Sequence, residues 1–285
     1  NALQANTTAS NNVAVGSTAL FSNTTGTNNS ALGIQALYSN VTANANTAMG
    51  RAALYANTGS QNSGFGSLAL YDNTSGQYNT AVGAEALTNN TTASNNTAVG
   101  YQAGYSNTTG IENTFIGYKA GLLTTTAGGV TALGKSALQN NTASNNTAVG
   151  NATLSVNTTG TGNVAVGVGI SGVDVGALGL NTTGSANVAM GRQASRSNTT
   201  GSNNVAIGTS ALQANTTSGN NTAVGYQAGL NNTGANSVFI GNNSGLSNTT
   251  GRSTFVGSST GYANTTGTAN VAIGGDTAPT YSTLR

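Results

Sequence analysis

Two stretches of the chain carry patterns associated with phosphate binding. Gly129-Val130-Thr131-Ala132-Leu133-Gly134-Lys135-Ser136 matches GxxxxGKS, and Gly167-Val168-Gly169-Ile170-Ser171-Gly172 matches GxGxxG. Both patterns work where a strand enters and a helix N-terminus leaves, because the helix aims unpaired N–H groups at the phosphate. No helical periodicity follows either stretch. Gly134 falls in phase with a repeat glycine, so nucleotide binding is declined there. The second stretch reads as a bulge in the repeat, although such an interruption is also where a binding loop could be inserted. The acids Asp72, Glu85, Glu112, Asp174 and Asp276 are dispersed, and Glu85 and Glu112 stand at different phases of the repeat. They read as solvated surface rather than an acid–base pair. With no His and no Cys, the usual zinc, haem and iron–sulfur ligand sets, cysteine nucleophiles and histidine acid–base chemistry are excluded. No catalytic residue, cofactor-binding residue, cofactor or metal ligand is therefore assigned, and the chain reads as a non-enzyme.

The composition narrows the class further. Of 285 residues, 43 are Asn, 47 Thr and 41 Gly, while only seven are Lys or Arg and five Asp or Glu. An ordinary globular domain is about a quarter charged. Seven scattered cations make no electrostatic footprint for nucleic acid or an anionic membrane surface. No apolar run of about 20 residues exists, so no membrane span is expected. Asn-x-Thr sequons abound, but in such a chain they arise from composition, and they become glycan sites only in a eukaryotic secretory setting.

One motif, Asn-(Thr/Val)-Ala-(Val/Ile)-Gly, recurs throughout. Its glycine appears sixteen times, from Gly16 to Gly274, in steps of 16 or 17 residues with a single step of 24. The seven-residue excess falls near 168–174. Numbering each unit from its glycine as zero, position −1 is apolar in all sixteen, −2 is Ala or Phe except at Gly64, and −4 is Asn in thirteen. Position +4 is usually Leu, and +7 is Asn followed by Thr, which is turn chemistry. The β-branched run before each glycine predicts a short strand, and a second strand or extended corner is expected at +3 and +4. A unit this short cannot bury its own apolar face and must stack on its neighbours. The expected fold is all-β, a parallel β-solenoid of about sixteen coils, a rod of about 75–80 Å. Stacking would place the −4 amides one above another in a hydrogen-bonded ladder. Residues 1–285 form a single array on this reading, with an atypical end at 275–285. Asn6 already occupies the Asn-Thr-Thr position, so the chain is expected to begin inside a unit, as part of a longer chain.

Three units exchange side-chain size. Phe115, Phe239 and Phe255 stand at −2, and the unit before each has Gly104, Gly229 or Gly245 at +4 in place of Leu. Cores conserve volume, since voids and overpacking both cost free energy, so −2 should pack against the preceding +4. Gly121 and Gly261 stand outside this rule, because Ala132 and Ala272 follow them. Tyr101, Tyr118 and Tyr226 follow the repeat glycine in units with Gly at +4. They read as packing against that gap, with a sugar-stacking surface as the alternative. If −2 points inward, −1 points outward, because strand side chains alternate. Val15, Leu32, Met49, Val82, Val99, Ile116, Val149, Val166, Ile207, Val224, Ile240 and Ile273 would then form an outward apolar stripe larger than soluble monomers expose. A second copy of the chain is the natural cover, in a cyclic homo-oligomer of three chains.

The units Asn12–Gly16, Asn187–Gly191, Asn204–Gly208 and Asn270–Gly274 resemble the YadA-like head repeats of trimeric autotransporter adhesins. Asn221–Gly229 and Asn113–Gly121 are similar to repeats of phage-type tail fibres. The resemblance implies a left-handed parallel β-roll, three chains about a common axis, and attachment at a cell or virion surface. The expected function is that of a non-enzymatic extracellular attachment fibre with a surface glycan or protein as receptor. A tail-fibre or filament segment acting as a rigid spacer is one alternative. An ice- or crystal-surface-binding solenoid is another, suggested by Thr at +8 (Thr24, Thr58, Thr74, Thr108, Thr158, Thr199, Thr249).

Overall fold

The computed structural model describes residues 1–169 and 175–275. Most of the excess near 168–174 and the end beyond residue 275 therefore lie outside the described residues. The chain forms two compact units, Asn1–Ser144 and Asn145–Arg285. Among the described residues there are strands and turns but no helix, so the helix that a GxxxxGKS loop requires is missing after Ser136.

The first unit carries β1 (Val13–Val15), β2 (Ser30–Leu32), β3 (Thr47–Met49), β4 (Ser63–Phe65), β5 (Thr80–Val82), β6 (Thr97–Val99), β7 (Thr114–Ile116) and β8 (Thr131–Leu133). The second carries β9 (Thr147–Val149), β10 (Val164–Val166), β11 (Val188–Met190), β12 (Val205–Ile207), β13 (Thr222–Val224), β14 (Val238–Ile240), β15 (Thr254–Val256) and β16 (Val271–Ile273). Every strand is three residues, positions −3 to −1. Within each unit successive strands pair in parallel and in phase, Val13 with Ser30 and Ala14 with Ala31, for example. Each unit is thus a β-solenoid, one strand per coil. The 24-residue step leaves the pairing intact, since Val164 still partners Val188. Beyond the excess the phase resumes by Ala177: Leu154 N–H donates to the Ala177 carbonyl at 3.2 Å, and Leu178 takes the buried +4 place.

The repeat glycine turns the corner after each strand. Gly83 has φ +133, and a Cβ there would sit 2.5 Å from the carbonyl oxygen of Gly100 in the next coil. Only glycine meets both demands. The segment after it is not the strand or extended corner expected there. Positions +2 and +4 are left-handed, as at Gln35 (φ 61) and Leu37 (φ 52). A non-glycine residue in that region costs on the order of 1–3 kcal/mol. The conformation persists because it points alternate N–H groups along the solenoid: Gln35 N–H reaches back to the Ser17 carbonyl at 2.9 Å, while Leu37 N–H reaches forward to Ala53 at 3.0 Å.

The core is a column of −2 and +4 side chains, Ala31, Ala48, Leu37 and Leu54 among them, all essentially inaccessible. Phe115 explains the glycines that stood outside the size-exchange rule. A Cβ on Gly104 would lie 2.5 Å from the Phe115 ring, and one on Gly121 would lie 2.2 Å from its other side. The ring occupies the leucine space of the preceding coil and of its own. Phe239 is held the same way by Gly229 and Gly245, and Phe255 by Gly245 and Gly261. One phenylalanine needs two glycines and two in succession need three, so Gly121 and Gly261 close the runs.

Asparagine columns flank this core. The −4 column is built differently from the amide-to-amide ladder expected of it. Asn29 Oδ1 accepts from the backbone N–H of Asn46 at 3.0 Å, and its Nδ2 donates to the Ala43 carbonyl at 2.8 Å. Most −4 amides tie down both ends of a turn in the next coil in this way, and Asn79 to Asn62 and Asn187 to Asn163 also bond amide to amide along the column. The amide-to-amide ladder runs at +7: Asn40 donates to Asn23 at 3.1 Å, Asn73 to Asn57 at 2.6 Å and Asn90 to Asn73 at 2.7 Å. It breaks where Thr124 replaces Asn, and Asn107 Oδ1 and Thr124 Oγ1 are both buried without a partner.

Two outcomes follow from this packing. Phe115→Ala should destabilise by roughly 3–5 kcal/mol through the cavity it leaves. The triple variant Phe115→Ala, Gly104→Leu, Gly121→Leu should recover most of that loss in thermal melts followed by circular dichroism, whereas either leucine alone should lower the melting temperature. Thr124→Asn should raise it, by about 1 kcal/mol of stability, because it supplies the donor that Asn107 lacks; an unchanged or lower midpoint would contradict the ladder.

Candidate functional site

The strand face is the most extensive candidate surface of each unit. Because the coils stack in register, one residue type per phase forms a continuous column. In the first unit Val15, Leu32, Met49, Val82, Val99, Ile116 and Leu133 at −1 are between 36% and 56% exposed, with Phe65 half-buried among them. In the second unit Met190, Ile207, Ile240 and Ile273 are exposed, and Val149, Val166, Val224 and Val256 are half-buried. The outward direction read from strand alternation is the observed one. A shallow, wholly apolar groove lined by Val13, Val15, Leu32 and Met49 opens on this face. The seven exposed residues of the first unit present on the order of 500 Å² of surface, within the range of the largest patch on an ordinary soluble monomer rather than above it as expected. No charge interrupts the row.

Aromatic columns form a second feature, missed by sequence reading because the rings belong to different repeats and share only a phase. Phe21, Tyr38, Tyr55 and Tyr71 at +5 stack at 5.0–5.1 Å between centroids, with interplanar angles of 10° or less. The signal was available as three tyrosines and one phenylalanine at one phase of four successive repeats. Their faces cover one another, so the column presents ring edges to solvent.

The tyrosines that follow the repeat glycine behave differently from the expectation. Tyr101, Tyr118 and Tyr226 do not fill the gap at +4 and are all well exposed. That gap is already occupied by Phe115 and Phe239. Tyr101 and Tyr118 stack on each other at 5.7 Å, and Lys119 Nζ lies 5.2 Å from the Tyr118 ring centre. Glu85 accepts a hydrogen bond from Gln102 at 2.7 Å rather than meeting a second acid. Among the described residues no group of three His, Cys, Asp or Glu is placed to hold a metal ion, and no helix is long and apolar enough to cross a membrane.

The +8 threonines are committed to the fold. Thr24 Oγ1 donates to Val41, Thr58 to Thr74, Thr74 to Thr91, Thr108 to Thr125, Thr158 to Thr182, Thr199 to Thr216 and Thr249 to Thr265, each accepting through its carbonyl. Their hydroxyl protons point along the solenoid.

No family model, no curated protein and no solved structure matches the chain. Geometry and sequence alone carry the functional reading.

Tyr55→Ala removes a ring from the middle of the +5 column. It should lower stability by about 1–2 kcal/mol and remove more than one ring's share of the near-ultraviolet tyrosine circular dichroism, because two stacked contacts vanish together. A strictly proportional loss would show that the rings are not ordered in solution.

Proposed function

We propose that the protein is a non-enzymatic extracellular attachment fibre in which three chains pack through their strand faces. The single observation that supports this is the row of exposed and half-buried apolar residues at −1 in each unit. Water contact along such a row is unfavourable, at roughly 25 cal/mol per Å² of apolar surface. A cover must offer apolar side chains at the same axial spacing, about 4.8 Å per coil. A second copy of this chain meets that condition by construction, which an unrelated globular surface does not. The near absence of charge removes the repulsion that would otherwise keep identical chains apart. Cyclic closure with three copies hides every row around one axis and leaves no open face.

The similarity of the Asn-Val-Ala-Val-Gly units to adhesin head repeats supports the same reading and adds the attachment role. The remaining surface, of Asn, Thr, Ser and Gly, suits a structure that stands in solvent at a cell or virion surface. Weak sites repeated from coil to coil and on three chains would bind through avidity.

Sedimentation equilibrium of the purified protein should return a mass three times that of the 27.8 kDa chain. Val99→Asp combined with Ile207→Asp should reduce it to the single-chain mass with an unchanged far-ultraviolet spectrum. A monomeric or dimeric wild type, or a double variant that assembles normally, would remove the proposal.

A further inference from the structure

We propose that Tyr101, Ala84 and Glu85 form a slot for one neutral pyranose ring of a glycan. The proposal rests on the reading of the protein as an attachment fibre and names its ligand class.

The slot follows from the columns beside the repeat glycine. Glu85 N–H donates to Ser67, Gln102 N–H to Ala84 and Lys119 N–H to Tyr101, each at 2.9–3.1 Å through the carbonyl oxygen. These bonds align Ser67, Ala84, Tyr101 and Tyr118 in one column and Glu85, Gln102 and Lys119 in the next. Tyr118 covers one face of Tyr101. The other face looks toward Ala84, where the column ends in a methyl group, and both Tyr101 and Ala84 are exposed. The next residue in the column, Ser67, is also short. The first long side chain beyond it is Arg51, exposed at the same phase three coils from Tyr101, about 14 Å at the usual strand spacing. An aromatic face thus borders open space of the depth of one or two sugar rings.

The neighbouring column supplies the polar half. Glu85 uses Oε2 to accept from Gln102 Nε2, which fixes the carboxylate beside Ala84 and leaves Oε1 to accept from a ligand hydroxyl. A pyranose has C–H groups on one face and hydroxyls around its rim. Stacking that face on Tyr101 while a rim hydroxyl donates to Glu85 satisfies both characters of the ring, the combination of apolar wall and few placed polar groups that small-molecule sites use. The carboxylate disfavours anionic sugars. Tyr226 lacks an acid in the equivalent place, since Ser210 occupies it, and so serves as an internal control.

The test uses the full chain and four neutral tetrasaccharides, of glucose, mannose, galactose and N-acetylglucosamine, with tetragalacturonate as the anionic control. Saturation-transfer NMR and calorimetry read binding, and sedimentation reads assembly on the same samples. At least one neutral probe should bind in the millimolar range. Tyr101→Ala and, separately, Ala84→Leu, which fills the slot, should each weaken it at least tenfold, while Tyr226→Ala leaves it unchanged. Failure of all four neutral probes at about 10 mM, a Kd above roughly 10 mM, overturns the slot. Binding insensitive to both slot variants, or tighter binding of tetragalacturonate, overturns it too. Sugar binding by a chain that proves monomeric sinks the trimeric fibre but not the slot; a normal trimer that binds no probe sinks the slot alone.

Discussion

Every feature of the fold depends on one constraint: the backbone of each coil must hydrogen-bond to the coils before and after it at a fixed axial spacing. In a sheet that demand is met by extended strands. Here only three residues per coil are extended, and the rest of the turn must still deliver its N–H groups along the solenoid. It does so by placing Gln35, Leu37 and their counterparts in the left-handed region, against the preference of their side chains. The local cost recurs in every coil, so the ladder that offsets it must recur too. This is why the sequence is so monotonous. A coil that deviates in path loses bonds on both sides.

The strand, its inward and outward faces and the exchange of Leu for Phe were legible in the sequence, because they follow from period-two alternation and from conservation of volume. The left-handed leucines were not. Leu37 looks like an ordinary core residue, and no local rule places a leucine at positive φ; only the stacked hydrogen bonds do. The two asparagine columns were half legible. Position −4 was recognised as a column, but whether an amide bonds to its neighbour's amide or backbone depends on distances of under an ångström. At +7 the turn signal of Asn-Thr masked a buried ladder, since turn formers are ordinarily exposed. The exposure of the tyrosines after the repeat glycine was not legible, because Phe115 fills two glycine gaps rather than one and leaves Tyr101 no inward space.

The surface divides by phase rather than by region. Positions −1 are apolar, the turns between +8 and −5 are mostly polar, with Val41 and Ile111 as exposed exceptions, and ionised groups are rare everywhere. A column repeats one contact many times, so a weak preference at a single residue becomes a property of a whole face. The same multiplication makes an irregular column informative. Glu85 and Lys119, one coil on either side of Gln102, break the neutral pattern beside the stacked pair Tyr101 and Tyr118, and Thr124 breaks the +7 ladder at the cost of two unpartnered atoms.

The −4 amides bear on how the molecule ages. Asparagine is among the thermolabile residues, because its side-chain carbonyl is attacked by the backbone nitrogen of the following residue, expelling ammonia through a cyclic imide. After Asn12 that nitrogen belongs to Val13, whose N–H is already engaged by the Asn29 carbonyl at 2.9 Å, while the Asn12 side chain is held at both of its polar atoms. Ring closure would require breaking three hydrogen bonds at once. The Asn-Gly dipeptide, the pair most prone to this reaction, occurs nowhere in the chain despite 41 glycines. A sequence rich in a thermolabile residue thereby folds so that an amide such as Asn12 must leave its hydrogen bonds before the ring can close.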